Sequence, residues 1–280
     1  MRTNRRGQRS AIVVGRDADA LASRYGTPLY VYDWNIIHAN VERIRTSIDY
    51  RPLSIHYACM ANGNVKLLEV LRRLGVGVFV ASAGELFLAE AAGYKTNEIV
   101  LSCANLSQAE MERITRSRVT VNADSPKQVM DLLKCGYSGL LGLRAALAPN
   151  GLEVSAGIGT NAISRLGMQA TEIASCVRKA RMAGIGAFGL HMYAGTCIYD
   201  LRLVLSAIDS VLEIGAGIDN LQYIDIGGGF GIPYADYQPS IRWWEFGRAL
   251  TRRMRSESTK RSTPVELRIH AKTNSDHSAG

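Results

Sequence analysis

Three consecutive glycines, Gly227, Gly228 and Gly229, follow an apolar run and precede Phe230-Gly231. Glycines let backbone N–H groups approach an anion closely, so the run reads as a phosphate cradle. A tight turn that needs positive φ accounts for one or two of them, and less easily for three. Gly195-Thr196 would add a hydroxyl and another N–H to the same cradle. His191 and Tyr193 lie two residues apart and so share one side of a strand. There they either stack on a flat ring or belong to a hydrogen-bonded interior layer. Arg144 ends another β-rich run, where a guanidinium calls for an anionic or aromatic partner. The cysteines, at 59, 103, 135, 176 and 197, form no CxxC and no metal-binding spacing. They read as small apolar or surface residues, reduced in a cytoplasmic protein, and not as nucleophiles.

These residues need a scaffold that brings their strand ends together. Short β-rich runs (LSIHYA from 53, GVFVAS from 77, EIVLS from 98, RVTVNA from 118) are each followed by a stretch of helical period. GLLGLRA, IGAFGLHMY, LQYIDI and PVELRI supply four more strands, the last ending at Ile269. Several are apolar throughout, as expected when both faces of a parallel sheet are buried. Ser107 and Ser125 stand at N-cap positions, and Gly75, Gly93 and Gly136 where helices stop. Eight βα units over about 220 residues predict a (β/α)8 TIM-type barrel, whose site lies at the C-terminal ends of its strands. No GxGxxG follows the first strand, which counts against a dinucleotide fold.

The 280 residues carry a net charge of +8, but its placement argues against a nucleic-acid partner. Residues 1–10 hold four arginines and no acid, and the last forty hold nine basic residues against four acids, leaving the body near neutral. No apolar run is long enough to cross a bilayer. After Ile269 only HAKTNSDHSAG follows, without helical period, so the barrel's last helix is expected to be missing. The barrel would then stop just short of closure and expose apolar strand surface, at roughly 25 cal/mol per Å². The expected organisation is a basic extension over 1–24, a barrel over 25–269 and an aberrant tail over 270–280.

Eight segments in order, YGTPLYVYD, HYACMANGN, GVGVFVASAGEL, VTVNADSP, GLRA, SRLGM, GLHMYAGT and IDIGGGFGIPY, resemble the barrel domain of pyridoxal-phosphate-dependent amino-acid decarboxylases. They run from about residue 25 to 237 and resemble diaminopimelate decarboxylase, an enzyme of lysine biosynthesis, more than ornithine decarboxylase. The resemblance implies pyridoxal 5'-phosphate as cofactor, an amino-acid substrate, a (β/α)8 barrel followed by a β-domain, and dimers with shared active sites. It makes Arg144, His191, Tyr193, Thr196, Gly227, Gly228 and Gly229 cofactor-binding, with Tyr193 at the position of a histidine that stacks on the pyridine ring.

The departures fall on the chemical groups. Where the family has the lysine that binds the cofactor as a Schiff base, this chain has Met60, and a thioether forms no imine. Phe79 replaces an acid on the second strand, and His270-Ala271-Lys272-Thr273 replaces the EPGR that supplies a glutamate to the pyridinium nitrogen and an arginine to the phosphate. None of the seven lysines (66, 95, 127, 134, 179, 260 and 272) is expected at a strand's C-terminal end. The resemblance therefore implies a catalytically impaired decarboxylase-like chain, with no catalytic residue of its own and the cofactor held non-covalently at best. The alternative is a non-catalytic partner that forms a homodimer, or a heterodimer with an intact decarboxylase. The abrupt end of the match at Ile269 reads as an interrupted frame or a degenerate copy that lacks the β-domain.

Overall fold

The computed structural model describes residues 12–13, 16–147, 166–196, 198–231 and 241–271. Eight parallel strands form a closed barrel: β1 Leu53–Ala58, β2 Gly77–Val80, β3 Ile99–Leu101, β4 Thr120–Ala123, β5 Leu141–Arg144, β6 Phe188–His191, β7 Leu221–Asp225 and β8 Glu266–Ala271. Each helix that joins them starts and stops as its sequence dictates. Ser107 Oγ accepts from the Glu110 N–H while the Glu110 carboxylate accepts from the Ser107 N–H, and Ser125 Oγ accepts from the Gln128 N–H at 3.2 Å. Gly75 and Gly136 stop their helices at φ of 70° and 79°, a conformation that costs a Cβ-bearing residue energy.

Two expectations about the end of the chain need correction. The barrel closes: β8 pairs with β1 from Leu267↔Leu53 to Ala271↔Tyr57, and with β7 from Glu266↔Tyr223 to Arg268↔Asp225. The strand runs two residues past the expected boundary, so His270 and Ala271 are barrel and not tail. Nor is the seam between β8 and β1 bare, since Val265, Leu267 and Ile269 are all buried. Helix Trp34–Ser47, which precedes β1, covers it with Ile37, Val41 and Ile44. It abuts helix Trp243–Ser258 so closely that a Cβ on Gly247 would run into the Ser47 carbonyl. Tyr50 donates to the Val265 carbonyl, and Arg255 Nη2 meets Asp49 Oδ2 at 2.8 Å. The covering helix comes from the beginning of the sequence, where a strand-by-strand reading does not look for it.

The strands are apolar throughout on the outside and largely polar within. Ile55, Val78, Leu101, Val121, Leu143 and Leu190 pack outward in the core cluster, while their alternate neighbours turn inward. The inward set is polar and buried, and includes His56, Asn122, His191, Asp225, Arg268 and His270. Room for it comes from glycine: a Cβ on Gly142 or Gly189 would collide with Tyr223, and one on Gly77 with His56. Arg268 lies 3.8 Å over the Tyr223 ring and pairs with Glu266 at 2.7 Å, which plugs the lower barrel with a paired charge. Outside the barrel, Tyr25, Leu29, Tyr30, Val31, Tyr32 and Trp34 are all exposed. No helix among the described residues is long and apolar enough to cross a membrane.

Candidate functional site

The loops after β6 and β7 meet at the C-terminal mouth and are laced together by backbone. The Ile198 N–H donates to the Gly229 carbonyl at 2.9 Å, and the Gly231 N–H to the Ile198 carbonyl at 2.8 Å. Gly227 and Gly229 have φ of 66° and 86°, and Gly195 has 135°. A Cβ on Gly229 would strike the Gly195 carbonyl, and one on Gly228 would lie 3.1 Å from the His270 carbonyl. The glycines are thus required by the approach of three loops, which a simple turn would not demand. The Gly227 N–H is taken by Asp225 Oδ1 at 2.9 Å, and no described residue accepts from the Gly228 or Gly229 N–H. N–H groups without an acceptor among the described residues are the kind of donor a phosphate takes at a glycine turn.

Beside this cradle stand three of the residues singled out from the sequence. Thr196 Oγ1 and the Tyr193 hydroxyl are hydrogen-bonded to each other, and Tyr193 is 39% exposed at the mouth. Arg144 has both of the partners its position required: Asp124 Oδ1 at 3.0 Å, and the Tyr193 ring with its centroid 5.9 Å away. Asp124 directly follows β4 in the NADSP run. Met60 follows β1 on a single 3-10 turn, Cys59–Ala61, and is 63% exposed at the same mouth. Burial pushes the neighbouring Cys59 thiol up to about 11, aided by Glu85, so that sulfur is no ready nucleophile.

His191 does not join them. β6 ends at His191, so Tyr193 lies beyond the strand and the shared face predicted for the pair is not continued. His191 is buried one layer below, where it is the register partner of Asp225. There Asp225 Oδ2 lies 3.0 Å from His270 Nε2, 3.1 Å from His191 Nδ1 and 3.4 Å from Asn122 Nδ2. Phe79 closes this layer, 4.1 Å from the His270 ring. Burial alone would raise the Asp225 carboxyl, but His270 and His191 beside it outweigh that and hold it well below the usual carboxylate range. Burial keeps His191 below its ordinary value against the pull of Asp225. His56, next to His270 across the β1–β8 pair, is pushed down to about 3, mainly by burial and further by Arg268 and His270. The sequence reading missed Asp225, Asn122 and His56 as site residues. The signal that finds them is the period of two, which puts 56, 122, 191, 225 and 270 on the inner face.

One further expectation changes. Since β8 ends at Ala271, Lys272 is the next residue in sequence after a strand's C-terminal end; it lies outside the described residues. Lys66, Lys127, Lys134 and Lys260 are all exposed on helices or just past one, and Lys66 pairs with Glu69.

A closed parallel barrel with a glycine anion cradle at its C-terminal mouth belongs to the class that holds a phosphorylated ligand there. Residues 35–268 match the family described as pyridoxal-dependent decarboxylase, pyridoxal binding domain, and the chain belongs to that family. It is 30% identical over 252 residues to the diaminopimelate decarboxylase of Methanothermobacter thermautotrophicus, covering 86% of this chain and 58% of the relative. It is 27% identical over 232 residues to the L-glutamyl-[BtrI acyl-carrier protein] decarboxylase of Niallia circulans, covering 79% and 54%. The fold matches that of Helicobacter pylori diaminopimelate decarboxylase complexed with L-lysine at a TM-score of 0.78 and 21% identity, over 91% of this chain and 65% of the other. The chain thus spans little more than half the length of the curated relatives it matches. The family's cofactor is pyridoxal phosphate; the glycine loops fit its phosphate, while the Met60 thioether at the same mouth can form no imine with it.

Proposed function

We propose that this chain is a pyridoxal-phosphate-binding barrel of the diaminopimelate decarboxylase type that holds its cofactor without a covalent bond and does not complete decarboxylation. The observation that carries this reading is Met60, a thioether at the end of β1 beside an otherwise intact phosphate cradle. The Gly228 and Gly229 N–H groups and the Thr196 hydroxyl would hold the phosphate, and Tyr193, backed by Arg144, would flank the ring. Asp225 fixes the turn that presents the glycines, through the Gly227 N–H. Bound pyridoxal phosphate supplies an electron sink for bond breaking at an amino-acid carbon. The ligand class proposed beside it is a free or carrier-linked amino acid, since the relatives' names specify both kinds.

Three measurements test this. Titration with pyridoxal phosphate is expected to show saturable binding that inorganic phosphate displaces and that Gly229→Ala weakens at least tenfold, about 1.4 kcal/mol. Borohydride treatment followed by peptide mass mapping is expected to find no cofactor attached to any lysine. An adduct on Lys272 in particular would overturn the non-covalent reading. Met60→Lys alone is expected to release no CO2 from diaminopimelate, because Phe79 and His270 still stand where the family resemblance places acids. Turnover by that variant would show that the site needs only its amine.

A further inference from the structure

We infer that His191, Asp225 and His270 form a binding site for one divalent transition-metal ion of the zinc type, inside the barrel just below the phosphate cradle. One ligand atom from each residue lies within 4.8 Å of the other two, and all three residues are buried. The donor set is two imidazole nitrogens and a carboxylate oxygen, the mixture that borderline metals such as zinc take. Metal–ligand bonds of about 2.0–2.1 Å at tetrahedral angles put donor atoms roughly 3.3 Å apart. The separations from Asp225 Oδ2, 3.1 Å to His191 Nδ1 and 3.0 Å to His270 Nε2, need only a small opening to reach that.

The hydrogen bonding favours a metal over a self-contained polar network. His191 Nδ1 is fully buried and has no hydrogen-bond partner, although a carboxylate oxygen lies 3.1 Å away. A network built only to satisfy itself would turn that nitrogen into line with Asp225, since an unmade buried bond is costly. An ion between the two satisfies both without a proton. The carboxylate is also already oriented as a ligand's should be, with Oδ1 held by the Gly227 N–H and Oδ2 approached by Asn122 Nδ2. His270 supplies nitrogen at the very position where the family resemblance calls for glutamate.

The test needs neither pyridoxal phosphate nor turnover, so its failure is separate from failure of the cofactor reading. Chelator-treated protein is titrated with Co2+, followed by visible ligand-field absorption, and with Zn2+ by calorimetry. One equivalent of each is expected, with no sulfur-to-metal charge-transfer band from the cysteines. His191→Gln and His270→Gln are expected to weaken binding by at least ~100-fold, whereas His38→Gln and His277→Gln leave it unchanged. If the two interior variants do not fold, X-ray absorption of the zinc-loaded wild-type protein decides. It should show only nitrogen and oxygen neighbours near 2.0–2.1 Å, with outer-shell scattering from two imidazoles. Sulfur neighbours, less than one equivalent bound, or interior variants that bind as tightly as wild type would each overturn the site.

Discussion

Asp225→Ala is expected to destabilise the barrel by about 3–5 kcal/mol, the loss that follows when one member of a buried charged cluster is removed. The carboxylate is fully buried and meets His270, His191, Asn122 and the Gly227 N–H. Once it is gone His270, Asn122 and the Gly227 N–H each lose a bond in a buried layer, and His191 loses the charge beside it. The effect should reach the mouth as well, because the Gly227 bond sets the turn that presents Gly228 and Gly229. A urea melt followed by circular dichroism measures the first effect and a pyridoxal phosphate titration the second. Asp225→Asn, which keeps size and one acceptor, should cost distinctly less than alanine. A loss under about 1 kcal/mol for the alanine variant would mean that the inner layer does not depend on its charge.

The second large effect is with pH. The His56 imidazole is held down to about 3 in the folded chain, while in the unfolded chain it titrates near its ordinary value of 6.5. Between those values the unfolded state binds a proton that the folded state does not, so stability falls as the pH falls through that window. The contribution is fully present above 6.5 and is lost progressively toward 3, at up to 1.36 kcal/mol per pH unit, or about 4–5 kcal/mol in all. Asp225, whose pKa is also depressed, acts with the same sign but at lower pH, below the ordinary carboxylate value. His56→Leu removes the first contribution only. Unfolding free energies at intervals from pH 7 to 4 should therefore fall less steeply for the variant than for wild type. Parallel curves would show that His56 is not held neutral.

The parts of this molecule that were legible in the sequence are those governed by near neighbours in the chain. Ser107 and Ser125 cap helices through groups three residues on, and the glycine stops act within one turn. The strand ends of the mouth, Arg144, Tyr193, Thr196 and the triple glycine, were legible because a barrel's function collects there. What escaped were relations across strands. Asp124 beside Arg144, and Asp225 between two histidines, depend on register, which no local pattern fixes. The missing clue was in plain view: Gly77, Gly142 and Gly189, each on an inward position, mark where a large side chain from another strand must fit. Alternation pairs His191 with Tyr193 only if the strand continues, and it ends at His191.

The cover that helix Trp34–Ser47 gives to the last strand has a consequence for synthesis. β1 finds its second neighbour in β8, and the bonds across that seam join residues more than two hundred positions apart, as between Tyr50 and Val265. At roughly 5–20 residues per second, a ribosome needs on the order of ten to forty seconds to deliver β8 after β1 has emerged. For that interval one edge of β1 and the inner face of its covering helix have no native partner, and the apolar stretch from Tyr25 to Trp34 emerges just ahead of them. Holdase chaperones that bind extended apolar segments would find a target there, and release from them would be timed by the arrival of the barrel's eighth strand.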